Sequence, residues 1–140
     1  MIKNRKTEVM GMKENDYLCP KCKGHLNVGG QLVFATETQR KHKGLIMLNP
    51  KVGEYDYKHH AKFSLEKGEL VEFKCPMCQH NLTAEKNNDH AMILMVGSED
   101  NADYELYFSK KAGNKSTYVV AKDDIKAFGE DAMDIDDLFY

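Results

Sequence analysis

Two short motifs, Cys19-Pro20-Lys21-Cys22 and Cys75-Pro76-Met77-Cys78, use all four cysteines of the chain and constrain its fold more than any other feature. They are parts of a longer repeat. Adding 56 carries Tyr17 to Phe73, Cys19 to Cys75, Pro20 to Pro76, Cys22 to Cys78 and Leu26 to Leu82. Two residues between cysteines let one tight turn aim both sulfurs at a single point, where backbone amides can offset the thiolate charge. Proline after the first cysteine presets φ at the start of the turn and holds the cysteine extended. Gly24 stands where such a turn often needs positive φ. Its counterpart His80, or Asn81 beside it, belongs to the non-glycine types that tolerate that region best. The aromatic before each pair and the leucine after it are expected to pack beneath the metal.

Four thiolates from two such pairs match the ligand count, softness and tetrahedral preference of one structural zinc ion per chain, held by Cys19, Cys22, Cys75 and Cys78. Two other readings of the same residues stay open. Four thiolates also hold iron in a rubredoxin-like site. Each pair could also act alone as a redox dithiol, although that arrangement wants a helix after the motif. His25-Leu26-Asn27-Val28-Gly29-Gly30 is a poor helix.

With its two Cys-Pro-x-Cys turns, the chain resembles the zinc ribbons, in which knuckles on β-hairpins hold one tetrahedral zinc. The resemblance implies ribbon-like hairpins and, by association with that class, a role near nucleic acid. The separation departs from the pattern: 52 residues lie between the pairs, against about 15 to 20 in the common spacing. Tripling a loop costs only about 1 kcal/mol in closure entropy, whereas structural zinc supplies on the order of 10 kcal/mol. The long insertion is therefore compatible with one shared site.

The 140 residues suit one compact unit, and a formal charge of −2 gives the whole chain no attraction for nucleic acid or anionic membrane. Charge is uneven, with six bases against three acids from Met1 to His25 and two against seven from Ala121 to Tyr140. No apolar run follows Met1-Ile2-Lys3-Asn4-Arg5-Lys6, and no segment reaches the length of a membrane span. A cytoplasmic location, where thiols stay reduced, is the expectation.

Along the chain, residues 1–16 read as a flexible lead-in. A single zinc-stabilised β domain follows over 17–121, made of a ribbon with insertion (17–84) and an antiparallel meander (90–121). Gln31 to Thr36 and Leu45 to Leu48 have strand character, and Asn49-Pro50-Lys51-Val52-Gly53 is turn chemistry. Tyr55 to Leu65 and Glu69 to Lys74 are expected to form a hairpin about Glu66-Lys67-Gly68. Ala91 to Val96, Tyr104 to Phe108 and Ser116 to Ala121 form the meander. Residues 122–140 read as a short helix and an acidic tail: Asp123 is placed to cap a turn or two, with Ile125 and Phe128 inward and Gly129 ending it. No long helical period occurs, so the fold class is mostly β.

The sequence contains no glycine-rich phosphate loop, no HExxH, no Gly-x-Ser-x-Gly and no spare cysteine. An enzyme is disfavoured, and no catalytic residue or small-molecule substrate is nominated. Histidines His42, His59 and His60, with Glu54, could seed a second metal site, but adjacent strand residues face opposite ways. Bases and aromatics interleave from Arg40 to Phe63, and Arg40, Lys41, Lys43, Tyr57, Lys58 and Lys62 are candidate nucleic-acid contacts if they share a face. Asp134-Ile135-Asp136-Asp137-Leu138-Phe139-Tyr140 could instead dock on a protein partner. The expected function is a non-catalytic zinc module that binds nucleic acid or acts in regulation. A protein adaptor and a redox or iron protein are the alternatives.

Overall fold

The structure, a computed structural model, describes residues 15–121 and 124–133. Ten strands run through them: β1 (Asp16–Leu18), β2 (Asn27–Val28), β3 (Gln31–Thr38), β4 (Lys43–Leu48), β5 (Tyr57–His59), β6 (Val71–Lys74), β7 (His90–Val96), β8 (Asp103–Ser109), β9 (Thr117–Val120) and β10 (Ile125–Phe128). No helix occurs among the described residues, so the mostly β expectation holds. The strands form two antiparallel five-stranded sheets. One has the order β10-β9-β8-β7-β1. In the other, β2-β3-β4-β5 are joined by β6, which also pairs with β3.

β3 is long enough to take two partners along one edge. Its first residues meet β2, with Asn27 opposite Leu32, and its later ones meet β6, with Ala35 opposite Lys74 and Thr36 opposite Phe73. β7 does the same in the other sheet. Thr83 bridges Ala91 near its start, and β1 pairs further on, with Leu18 opposite Leu94 and Tyr17 opposite Met95. Because Leu18 and Lys74 are equivalent in the 56-residue repeat, Ala35 and Leu94 occupy equivalent places, and so do Thr36 and Met95.

The equivalence continues well past the cysteines. Phe34 opposite Ile46 corresponds to Ile93 opposite Leu106. Met47 opposite Lys58 and Leu48 opposite Tyr57 correspond to Tyr107 opposite Tyr118 and Phe108 opposite Thr117. The chain is thus two copies of one five-strand pattern, over Asp16–His59 and Glu72–Val119. In each copy the strand entering the cysteine turn pairs with the long strand of the other copy. The insertion between the cysteine pairs supplies the first copy's long hairpin.

Alternation sets the core. Along β3, Leu32, Phe34, Thr36 and Thr38 are buried while the residues between them are partly exposed. Phe34, Phe73 and Phe108 meet with ring centroids 5.1–5.5 Å apart and bring both copies into one aromatic cluster. Tyr17, Leu26, Phe73 and Leu82, the residues expected beneath the cysteines, are all buried in that same core.

Two expectations are corrected. Glu66-Lys67-Gly68 does turn, with Gly68 at φ 84° and Glu69 N–H donating to Glu66 O. The segments around it nevertheless pair elsewhere, β5 with β4 and β6 with β3. Burial of Phe73 against Phe34 decides this, because it requires β6 to lie beside β3. The short helix is a strand: Ile125–Phe128 pairs with β9, Val120 opposite Ile125 and Thr117 opposite Phe128. Four residues bring too few hydrogen bonds to offset helix nucleation, whereas the open edge of β9 offers a ready ladder. Asp123, the expected cap, the lead-in up to Glu14 and the tail from Asp134 lie outside the described residues.

Replacing the fully buried Phe34 by alanine removes a ring shared by the two copies. It should cost about 3 to 5 kcal/mol, read from denaturant unfolding of the metal-loaded protein.

His90 supplies a test by pH. Its Nε2 lies 3.3 Å from Ser116 Oγ, its ring packs on Tyr118 and its buried Nδ1 has no hydrogen-bond partner among the described residues. Burial lowers its pKa below the ordinary value despite the charge of Asp89. The unfolded chain therefore binds this proton more readily than the folded one, and stability is lost as pH falls below about 6.5. The melting temperature of His90→Phe relative to wild type should rise from pH 7.5 to 5.5, with the acid sensitivity of the shared metal site cancelling in the difference.

Candidate metal centre

Each cysteine pair is shaped by the same backbone bonds. Cys19 N–H donates to Gly24 O and Cys75 N–H to His80 O, both at 3.0 Å, while Lys23 and Gln79 N–H return to Cys19 O and Cys75 O at 2.9 Å. Leu26 N–H and Leu82 N–H close the base of each turn on Tyr17 O and Phe73 O. Amides also point at sulfur: Lys21 at Cys19 Sγ, Met77 at Cys75 Sγ and Gly24 at Cys22 Sγ, each at 3.4 Å. Donors aimed at sulfur favour the thiolate form that a metal needs.

The crossed pairing of β1 with β7 and of β6 with β3 sets the two turns face to face. Cys19 Sγ lies 3.7 Å from Cys78 Sγ, and Cys22 Sγ lies 3.8 Å from Cys75 Sγ. All four sulfurs fall within 4.8 Å of one another. A tetrahedron with metal–sulfur bonds of about 2.3 Å has sulfur–sulfur edges of about 3.8 Å, so the donor set fits one four-thiolate ion. Among the described residues this is the only cluster of three or more cysteine, histidine or carboxylate side chains that could hold a metal. His42, His59, His60 and Glu54 are not brought together in such a group.

Inner and outer ligands differ. Cys19 and Cys75 are buried, Cys78 is half-buried and Cys22 is exposed. Burial pushes the Cys19 thiol up to about 11 against the pull of the Cys22 and Lys21 amides, and burial raises Cys75 as well. The His80 amide draws Cys78 down to about 7. The outer sulfur ionises readily, and the inner pair gives up protons only in exchange for a cation.

The turns take positive φ one residue before the expected glycine and histidine, at Lys23 (61°) and Gln79 (68°). The backbone bonds that close each turn fall at these residues, whose N–H groups return to the first cysteine's carbonyl while the next residue's carbonyl accepts that cysteine's N–H. Lys23 Nζ reaches back to Pro20 O at 2.8 Å and Gln79 Nε2 to Pro76 O at 3.4 Å. A Cβ at Gly24 would stand 2.7 Å from Met77 Cε, the mobile end of an exposed side chain on the opposing turn.

The candidate nucleic-acid contacts do not share one face. Arg40 forks onto the buried carboxylate of Glu69 with two 3.0 Å bonds, which raises the pKa of Arg40 and lowers that of Glu69. Lys43 and Lys58 lie on the outer face of their sheet, Lys58 opposite Met47, whereas Tyr57 lies opposite Leu48 and faces the other way. Lys41 sits in the β3–β4 turn at φ 67°, and Lys62 lies beyond β5. Phe63 is buried beneath Gly44, where an added Cβ would meet its ring at 2.6 Å. Tyr55 holds Thr117 Oγ1 and Phe128 O through its hydroxyl.

The fold and site define an all-β protein of duplicated design with a four-cysteine cluster suited to a metal ion. No family model, curated protein or solved structure matches the chain. The zinc-ribbon resemblance therefore rests on the cysteine motifs alone. No helix among the described residues is long and apolar enough to cross a membrane.

Lys23→Val and Gln79→Val place a β-branched residue at positive φ and remove the bond to the proline carbonyl. Each should weaken metal binding by about 1 to 3 kcal/mol, measured by competition with a chromogenic chelator. Lys23→Gly, which suits that φ, should weaken it less than Lys23→Val.

Proposed function

We propose that one zinc ion bound by Cys19, Cys22, Cys75 and Cys78 is a structural centre, and that the protein is a non-catalytic binding module held in shape by it. The observation that carries this reading is the pair of sulfur–sulfur separations between the two turns, 3.7 and 3.8 Å, which match the edge of a zinc–thiolate tetrahedron. Four protein thiolates fill that coordination sphere and leave no position for a substrate. Backbone amides directed at the sulfurs suit a permanent charged centre. Iron in the same thiolate cage is the second reading on the same geometry, and visible absorption of the purified protein separates the two.

For the partner we favour a protein over nucleic acid. A nucleic-acid reading draws on Lys41, Lys43, Lys58 and Lys62, with Arg40 committed to Glu69 and with Tyr57 on the side opposite Lys58. A platform that stacks bases needs its aromatic and basic side chains together.

Metal analysis should return one zinc per chain, and chelation should abolish the cooperative thermal transition of the β signal in circular dichroism. Cys75→Ser removes one of four thiolate ligands and should cost about 3 kcal/mol or more of metal binding, a quarter of the free energy typical of structural zinc. Metal-free protein that stays folded and melts at the same temperature would overturn the structural role.

A further inference from the structure

The two copies carry the same sheet face with opposite fates. In the second copy, Tyr107 is 6% exposed, Tyr118 0% and Ala84 3%, and Met92, Val120 and Ala132 pack against them. The equivalent positions of the first copy are Met47, Lys58 and Val28, and there Val28 is 64% and Met47 36% exposed; Leu45, whose counterpart is Glu105, is 57% exposed on the same face. Val33, the counterpart of Met92, completes this apolar strip on β3, opposite Met47.

The difference lies in what covers each face. After β10 the chain turns back at Gly129 over the second copy. Met133 N–H donates to Tyr118 Oη at 2.7 Å, and Asp131 Oδ2 accepts from Lys115 N–H at 2.9 Å. The covering segment, Gly129-Glu130-Asp131-Ala132-Met133, sets acidic residues beside apolar ones. β10 also pairs the outer edge of β9. The corresponding edge of β5 has no partner strand among the described residues.

The uncovered face also differs in charge. Lys58 stands where Tyr118 stands, and Lys43 where Asp103 stands. Glu37 stands opposite Lys43 but pairs with Lys74 at 3.5 Å, and neither Lys43 nor Lys58 has a carboxylate within 4 Å among the described residues.

We infer that the outer face of the first copy, where Val28, Val33, Leu45 and Met47 lie beside Lys43 and Lys58, docks an extended peptide of another polypeptide whose apolar side chains neighbour acidic ones. Such a peptide covers the apolar strip as Gly129–Met133 covers its counterpart, adds backbone bonds along β5 and brings carboxylates to the two lysines. This inference names the partner of the binding module proposed above and rests on that reading. Zinc content, measured in the same samples, keeps the two separable.

The test uses the full zinc-loaded chain and a fluorescent synthetic peptide with the sequence of residues 129–140, which joins acidic and apolar residues in the required way. Fluorescence anisotropy should report saturable binding. Met47→Glu and Lys58→Glu should each weaken it tenfold or more, with zinc content and melting temperature unchanged because both side chains are exposed. Tyr118→Phe, on the covered face, should change it less than twofold. Absence of saturable binding overturns the inference. So does binding lost through Tyr118→Phe and retained in the Met47 and Lys58 variants, or a single-stranded oligonucleotide that binds through Lys43 and Lys58 where the peptide does not. Loss of zinc with peptide binding intact would instead count against the metal reading alone.

Discussion

Backbone ladders between β1 and β7 and between β6 and β3 carry each cysteine turn on the long strand of the opposite copy. Each ladder places its turn at a fixed height, so the four sulfurs converge because two long strands each hold an entering strand at equivalent registers. Burial of Tyr17 and Phe73, one on each entering strand, prevents a slip. A shift of one residue would turn those rings out of the core and carry the cysteines with them.

The crossing explains why metal and core belong to one structure. Phe34 from one copy and Phe73 and Phe108 from the other share an aromatic cluster beneath the site. The thiolates and the sheets are thus stabilised by overlapping contacts, and neither copy buries its apolar face without the other. A duplicated chain of this kind resembles a dimer joined by a linker, with the four-cysteine cluster at the crossing. The burial of Cys19 and Cys75 beside the readily ionised Cys78 suits such a place: the inner sulfurs sit in low dielectric, where a cation is the effective counter-charge.

Symmetry of backbone did not bring symmetry of surface. One copy is closed by a segment that pairs its edge and covers its sheet, while the other leaves leucine, methionine and valine beside two lysines that form no ion pair within 4 Å among the described residues. Among the described residues one of two equivalent faces is covered and the other is not, and that departure from the shared pattern is the observation on which the proposed peptide docking rests.

Much of this was legible in the chain itself. The cysteine spacing, the proline and the flanking aromatic and leucine are local requirements of a metal-binding turn, so the clustering of the four cysteines and their buried neighbours could be read directly. Strand character at Gln31 to Thr36, Leu45 to Leu48 and Ala91 to Val96 was legible because alternation and β-branching act over a few residues. The duplication beyond the cysteines was hidden, because equivalent places hold Phe34 and Ile93, Met47 and Tyr107, or Lys58 and Tyr118, alike only in their pairing. The fate of Ile125–Phe128 was hidden too, since a four-residue segment takes its conformation from the edge it meets. Local residue patterns alone thus specified a cluster of four cysteines, a β-rich chain and a repeated turn. That the repeat extends through two crossed copies, and that one face has no covering segment among the described residues, followed only from strand pairing and burial, which join residues far apart in sequence.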